Sequence, residues 1–160
     1  MTIRRVISIV MVMVFTINDS MAISQSVDYK IKAALVYKLT RFVTWPAKAL
    51  GKGGAAFNIC IVGDDPFGKL IDALATKRIK SHPILIKRMP HYTQENCHVL
   101  FITVAKKRSY PAILAILNNK SILTISDIAD FAKYGGMIQI YKNKKRFSFI
   151  INNKKAKKQG

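Results

Sequence analysis

Apolar residues recur along this chain with two different spacings, one typical of helices and the other of buried strands. Between residues 29 and 43 they return every three or four positions, and lysine and arginine occupy the other side of the helical wheel. This spacing predicts an amphipathic helix that ends before Pro46. Residues 57–62 instead form a short and nearly continuous apolar run, as expected of a strand buried on both faces.

Helices and strands continue to alternate through the middle of the chain. Asp65 followed by Pro66 has the pattern of a helix start. The other predicted elements are strands at residues 84–86, 99–104 and 122–125 and a helix at residues 110–117. Strands that alternate with helices form a mostly parallel sheet with helices on its faces.

The end of the chain has a different pattern. After a break at Gly135 and Gly136, residues 137–141 face residues 146–151 across a short polar turn, which predicts an antiparallel hairpin. The basic tail, residues 152–160, is expected to be frayed or to form a short exposed helix. The predicted fold is therefore a single α/β domain, with a mostly parallel central sheet flanked by helices and a C-terminal antiparallel hairpin.

The first two dozen residues have the pattern of a secretory signal peptide. Arg4 and Arg5 precede an uncharged apolar run, residues 6–17, and small residues follow it. The run is too short to span a bilayer, which takes about 20 residues, so a retained anchor is the less favoured alternative. We therefore predict a signal peptide over residues 1–22 and an exported mature domain over residues 23–160.

The chain is strongly basic, with 27 Lys and Arg against 8 Asp and Glu and a net charge of +19. Half of its residues are apolar, so it can bury a core and is not disordered throughout. Export makes nucleic acid an unsuitable partner and favours anionic lipid or an acidic protein surface. The basic residues near the C-terminus form either a solvated face or a surface that increases the rate of association with an acidic partner. They are Lys142, Lys144, Lys145, Arg146, Lys154, Lys155, Lys157 and Lys158.

The chain contains two cysteines, Cys60 in the first predicted strand and Cys97 near the third. Thiols tend to pair in an oxidising compartment. A bond between them would close a loop of about 38 residues and contribute about 4 kcal/mol by the chain-entropy estimate. The alternative is two separate buried thiols that pack as small apolar groups. A metal site is less favoured, because neither cysteine has another two to four residues away.

Acidic and hydroxyl residues follow two of the predicted strands, Asp64 and Asp65 after the first and Ser126 and Asp127 after the fourth. The carboxyl ends of parallel strands share one edge of the sheet, where ligands of open α/β folds bind. These four residues are the candidate ligand or partner edge. They could hold a magnesium ion, but helix capping accounts for the same pattern and is the favoured interpretation.

No arrangement of residues favours catalysis. The chain has no Gly-x-Ser-x-Gly nucleophile motif, and its glycine-rich segment precedes a strand instead of following one. Its two cysteines lack the Cys-x-x-Cys spacing of a catalytic dithiol. We therefore expect a protein that is not an enzyme and holds no metal or cofactor.

Six segments together resemble the YfiR family. They are KAALVY at residues 32–37, FVTWP at 42–46, GDDPFG at 63–68, CHVLFI at 97–102, LTISD at 123–127 and GGMI at 135–138. The resemblance extends from about residue 29 to residue 152, with the segments in order and at natural spacing.

The resemblance implies a periplasmic α/β regulator. YfiR-like proteins bind the periplasmic domain of an inner-membrane diguanylate cyclase and hold it inactive, which lowers cyclic di-GMP and disfavours biofilm growth. They form homodimers, and their repression depends on redox state through disulfides. Cys60 and Cys97 match the family's core disulfide, whereas the second cysteine pair of some members is absent here. The alternative function is a periplasmic small-molecule binding module that uses the candidate ligand or partner edge.

Overall fold

The computed structural model describes residues 17–159, with side chains from residue 26 onward. The helices in this part of the chain are α1 (Ile17–Phe42), α2 (Ala47–Leu50), α3 (Lys69–Asp72), α4 (Tyr110–Ile116) and α5 (Asn153–Lys158). The strands are β1 (Phe57–Val62), β2 (Arg78–Ile79), β3 (His82–Met89), β4 (Val99–Ile102), β5 (Leu123–Ser126), β6 (Ile138–Asn143) and β7 (Arg146–Ile151). Of these helices, none is both long and apolar enough to cross a membrane. The predicted signal peptide lies largely outside the described residues, and its cleavage stays a prediction.

The strands form one sheet in the order β2-β3-β1-β4-β5-β6-β7. The five central strands, from β3 to β6, run parallel, and β2 and β7 are antiparallel strands at the two edges. Every residue of β1, β4 and β5 is buried, which explains why these strands are short, nearly continuous apolar runs in the sequence. The predicted α/β fold with a mostly parallel sheet and a C-terminal hairpin is confirmed.

The two faces of the sheet are covered by different helices. On the face covered by α1, which we call the α1 face, Phe57 and Ile59 of β1 pack with Val36 and Leu39. The opposite face, which we call the α4 face, buries an apolar layer that includes Cys60, Val62, Leu100, Ile113 and Leu114. Alternate residues of β1 therefore face different layers, because successive side chains of a strand point to opposite sides.

Two helix starts differ from the sequence prediction. In the described residues helix α1 extends back to Ile17, well before residue 29, and Val27, between these positions, is half exposed and adds no buried position to the apolar repeat. The helix after Asp65 begins only at Lys69, because Gly68 has a positive φ of 51° that interrupts a helical path. Helix α2 and strand β2 are too short to produce a periodic signal.

The basic tail forms a short docked helix at the amino end of the sheet. The Asn152 side chain accepts a hydrogen bond from the Lys155 backbone N–H at 3.0 Å, which caps α5. Gln159 is buried and donates from Nε2 to the Leu117 carbonyl at 3.1 Å. Ser121 donates from its hydroxyl to the Gln159 carbonyl at 3.2 Å. The tail is therefore a short helix as expected, but it is docked on the domain through Gln159 instead of being wholly exposed.

Candidate functional site

Cys60 and Cys97 form a disulfide bond on the α4 face of the sheet. Their Cα atoms are 5.9 Å apart, and the bond joins β1 to the segment that leads into β4. Both residues are buried, with exposed fractions of 0% and 3%. The predicted pairing is confirmed, so these sulfurs are not separate thiols.

Asp64 and Asp65 lie at the carboxyl end of β1, as predicted. Asp65 accepts a hydrogen bond from the Phe67 backbone N–H at 2.8 Å, and its other oxygen pairs with Arg88 Nε at 2.6 Å. Arg88 also pairs with Asp72 at 2.7 Å. The hydrogen bond to Asp65 is the main cause of the raised pKa of Arg88, and the bond to Asp72 adds to it. Asp64 is exposed to solvent.

Ser126 and Asp127 lie at the carboxyl end of β5. The Ser126 hydroxyl donates to the Ile102 carbonyl at 2.6 Å and accepts from the Ile128 backbone N–H at 3.0 Å, so it joins β5 to β4 and caps the following turn. Asp127 pairs with Lys32 of α1 at 2.6 Å, and both side chains are largely buried. Asp65 after β1 and Asp127 after β5 therefore have different ion-pair partners, Arg88 and Lys32.

A cavity of about 220 Å³ lies beside the Lys32–Asp127 pair, between α1 and the hairpin. On its other side Asp28 pairs with Lys142 at 2.7 Å. The four charged groups of this cavity therefore form two ion pairs. Within the described residues, no group of three or more His, Cys, Asp or Glu side chains is placed to hold a metal ion.

A larger cavity, of about 560 Å³, lies at the opposite, amino edge of the sheet. Its walls are α2, the segment before β4 and the segment before β5, and they include Lys48, Tyr92, Glu95, Cys97 and Lys120. This volume falls within the range of small-molecule pockets, about 300–1,000 Å³. Sequence reasoning missed this cavity because its walls come from three connections that are far apart in the chain.

Tyr92 places an unpaired hydroxyl beside this cavity. Among the described residues the buried Tyr92 oxygen has no hydrogen-bond partner, and burial raises the pKa of this phenol. A buried polar atom without a partner costs stability. No hydrogen bond in the described part of the fold therefore accounts for the buried position of the Tyr92 hydroxyl.

His98 lines the same cavity and connects α2 to the sheet. Its Nδ1 accepts a hydrogen bond from the Asn58 backbone N–H at 2.9 Å, and its Nε2 donates to the Ala49 carbonyl at 2.9 Å. Because Nδ1 accepts, the ring is neutral and carries its proton on Nε2. The ring also stacks on Phe57 at 4.5 Å and meets Trp45 edge to face at 6.2 Å. His98 is therefore a buried structural histidine with both ring nitrogens bonded to the backbone.

We expect the free energy of unfolding to fall as the pH drops below about 6.5, the pKa of an unperturbed imidazole. Burial is the main cause that lowers the pKa of His98 in the folded chain, and the nearby His82 lowers it further, whereas the hydrogen bond to Ala49 opposes the shift. Above the unfolded pKa the ring is neutral in both states. Below it the unfolded chain binds a proton that the folded chain does not, so stability is lost as the pH falls through the folded pKa.

Urea unfolding at several values between about pH 7.5 and pH 5 measures this dependence of stability on pH. Most carboxylates titrate below this range, so their contribution changes little within it. We expect the His98→Gln chain to be less stable at the upper end and to depend less on pH. The control is His91→Gln, because His91 is exposed, and this chain should keep the slope of the parent. A His98→Gln chain with the full parental slope would assign the effect to another group.

The sequence profile DUF4154, described as YfiR/HmsC-like, matches residues 29–160. No curated protein matches the chain. The matched region contains every described strand, the disulfide, the larger cavity and, apart from Asp28, the walls of the smaller one. The resemblance inferred from the sequence is confirmed, and the chain belongs to the YfiR/HmsC-like family, whose members are periplasmic regulators of diguanylate cyclases.

Proposed function

We propose that this chain binds the periplasmic domain of an inner-membrane diguanylate cyclase and holds that enzyme inactive. The observation that carries the proposal is the family match over residues 29–160. Export through the signal peptide of residues 1–22 and assembly into a homodimer are parts of the same proposal. A binding protein of this kind needs no catalytic residue, which agrees with the use of Asp65, Ser126 and Asp127 in caps and ion pairs.

The test of this function is the level of cyclic di-GMP in the cell. Deleting the gene should raise cyclic di-GMP, and the full chain supplied from a plasmid should restore the original level. A chain without residues 1–22 should fail to restore it, because it remains on the cytoplasmic side. An unchanged cyclic di-GMP level after deletion, in cells that contain the cyclase, would reject the proposed function.

Redox control is the second part of the proposal, and it rests on the position of the disulfide. The bond joins Cys60 of β1 to Cys97 in the segment that leads into the neighbouring strand β4. Cys97 ends the segment that carries Tyr92 and Glu95 to the wall of the larger cavity. Reduction would release this segment from β1 and change the surface at the amino edge of the sheet. The reduced chain should then have the weaker affinity for the cyclase domain.

We expect reductant to weaken binding to the cyclase periplasmic domain by at least about tenfold, which corresponds to about 1.4 kcal/mol. Titration calorimetry with and without reductant measures the change, and circular dichroism establishes that the reduced chain remains folded. The control is a chain with both Cys60→Ala and Cys97→Ala. Its affinity for the cyclase domain should match that of the reduced parent and should not change when reductant is added. Equal affinity in both conditions would reject redox control and leave the disulfide as a structural bond.

The larger cavity favours a second candidate function, the binding of a small molecule. Glu95 is already paired with Lys87 at 3.0 Å, so Lys48 and Lys120 give the wall an excess of positive charge. An anionic compound of small size fits this chemistry. A compound that binds should raise the melting midpoint by several degrees. Loss of the shift in a Lys48→Ala/Lys120→Ala chain would place the compound at the amino edge.

The candidate ligand or partner edge of Asp64, Asp65, Ser126 and Asp127 remains the competing location. The variant Asp64→Asn removes an exposed charge there without removing an ion pair. A thermal shift caused by a cationic compound, lost in this chain and kept in the lysine variant, would place that compound at the carboxyl edge. No shift with any metabolite of the panel, anionic or cationic, would reject the second function.

A further inference from the structure

Strand β7 is an edge of the sheet that exposes apolar side chains. In the described part of the chain it pairs with β6 on one side and with no strand on the other. Phe149, Ile150 and Ile151 are 46%, 47% and 50% exposed. An edge strand with apolar side chains and free backbone groups is a template for pairing with another strand, and proteins normally protect such edges. The exposure of β7 therefore requires an explanation.

The hairpin register identifies the free backbone groups of β7. The Asn152 N–H donates to the Met137 carbonyl at 2.8 Å. Hydrogen-bonded and non-hydrogen-bonded pairs alternate in an antiparallel ladder. Ile151, next to that bond, is therefore in a non-hydrogen-bonded pair, and so are Phe149 and Phe147 at two-residue steps. The N–H and C=O groups of these three residues point away from β6 and can pair with a further strand.

The side chains of the same three residues point to the α1 face. Phe147 packs against the apolar layer under α1, and residues two positions apart on a strand share a face. Helix α1 contributes a second, partly exposed apolar stripe made of Val27, Ile31 and Leu35. Asp28 adjoins this stripe and pairs with Lys142 of β6, so the stripe lies on the side of α1 toward the hairpin. We call the free backbone of β7 with the side chains of Phe147, Phe149 and Ile151 the β7 edge surface.

Basic residues flank both ends of the β7 edge surface. The hairpin tip carries Lys144 and Lys145, and α5 follows the strand with exposed Lys154, Lys157 and Lys158. Among the described residues none of these lysines forms an ion pair. A segment that pairs with β7 is therefore attracted if it carries acidic residues at its two ends.

The same charges argue against a second copy of this chain as the occupant. Antiparallel pairing of two β7 strands about Phe149 would bring the hairpin turn of one copy, with Lys144 and Lys145, toward Lys154 at the start of α5 in the other copy. Lysines brought together at both ends of the paired strands repel one another and oppose this pairing. An anionic lipid surface would satisfy the lysines but would leave the backbone groups of the strand without a regular set of partners.

We propose that the β7 edge surface receives an extended segment of a protein partner as an eighth strand of the sheet, apolar in its middle and acidic at both ends. This rests on the proposed function insofar as the segment belongs to the periplasmic domain of the cyclase. Backbone hydrogen bonds supply affinity in strand addition of this kind, and side chains on alternate positions supply specificity. The flanking lysines make association faster at low salt.

The variant Phe149→Pro tests the backbone part of this proposal. It removes an outward N–H without removing a bond to β6, and proline is tolerated on an edge strand where the N–H faces solvent. We expect at least about tenfold weaker binding to the cyclase domain, or about 1.4 kcal/mol. Ile150→Thr is the matched control, because Ile150 points to the other face, and it should bind within about twofold of the parent, or about 0.4 kcal/mol.

Hydrogen exchange gives a second, independent reading of the same surface. In the complex, the amide groups of Phe147, Phe149 and Ile151 should become protected, whereas these amides exchange freely in the unbound chain. The charge reversal Lys144→Glu/Lys145→Glu should weaken binding and reduce its dependence on salt. Circular dichroism of each variant establishes that the fold is intact.

The outcomes separate this inference from the proposed function. If the cyclase domain binds the Phe149→Pro chain as tightly as the parent and the three amides gain no protection, the inference is overturned and the function stands. If the cyclase domain does not bind at all, the proposed function fails. The inference is then tested with the peptide Glu-Glu-Val-Thr-Val-Thr-Val-Glu-Glu, which is acidic at both ends like the proposed segment. Shifts of the three amide resonances on adding this peptide would support strand addition, and their absence would overturn it. If the parent chain is a dimer and the Phe149→Pro chain is a monomer, the inference is also overturned, because a second copy of the chain would then occupy the β7 edge surface.

Discussion

Replacing Cys60 and Cys97 together by alanine lowers the free energy of unfolding by about 4 kcal/mol, because the unfolded chain is freed from a closed loop of about 38 residues. This expected loss is a large fraction of the stability of an ordinary domain, about 5–15 kcal/mol. Urea unfolding followed by the fluorescence of Trp45, the single tryptophan, measures it. The slope of free energy against urea should also rise, because the unfolded chain without the bond exposes more surface.

The reduced parent chain is the control for this substitution. It lacks the same covalent link and keeps both sulfur atoms in the apolar layer of the α4 face. The two chains should unfold at similar urea concentrations, both well below the oxidised parent. A double alanine chain that loses less than about 1 kcal/mol would contradict the prediction and would mean that the unfolded chain is already compact without the bond.

Replacing Trp45 by alanine is expected to lower the free energy of unfolding by about 3–5 kcal/mol, the usual cost of removing a large buried aromatic side chain. Trp45 is 5% exposed, and its ring meets Phe57 edge to face at 5.1 Å. Its indole Nε1 donates to the Thr40 carbonyl at 3.2 Å. Trp45 therefore holds the end of α1 against β1 and against His98 at the amino edge. Urea unfolding followed by circular dichroism measures the loss.

Trp45→Phe is the matched variant. It keeps an aromatic ring against Phe57 and loses the indole hydrogen bond, so we expect a smaller cost of about 1–2 kcal/mol. The difference between the two variants separates packing from hydrogen bonding. Equal losses in both chains would contradict the assignment of most of the stabilisation to the packed ring.

The central part of the fold could be predicted from the sequence because burial leaves a local pattern. Strands β1, β4 and β5 are buried on both faces and so appear as short apolar runs, and α4 differs from its predicted range by one residue at its end. The hairpin could be predicted because two strand-like segments lie on either side of a short lysine-rich turn, and the structure pairs them. The extension of α1 before residue 29 could not be predicted, since the half-exposed Val27 adds no buried position to the apolar repeat.

The candidate site was only partly predictable, because its contacts depend on distant segments. The family resemblance and the export signal together favoured the Cys60–Cys97 pair, and the structure confirms it. No local pattern indicates that Asp127 pairs with Lys32, or that His98 bonds to α2. Such partners are determined by which elements the sheet brings together.

The sequence by itself determined the class of the fold and the family, because apolar spacing and a set of short motifs are properties of neighbouring residues, and it favoured the pairing of the two sulfurs, which the structure then decided. Only the tertiary structure decided where the cavities lie, which charges are neutralised and which edge of the sheet stays open. Strand β7 is an example: its apolar residues predict a strand, but its free backbone groups follow from its place at the end of the strand order. That place is fixed by long-range pairing, which local residue preferences do not encode.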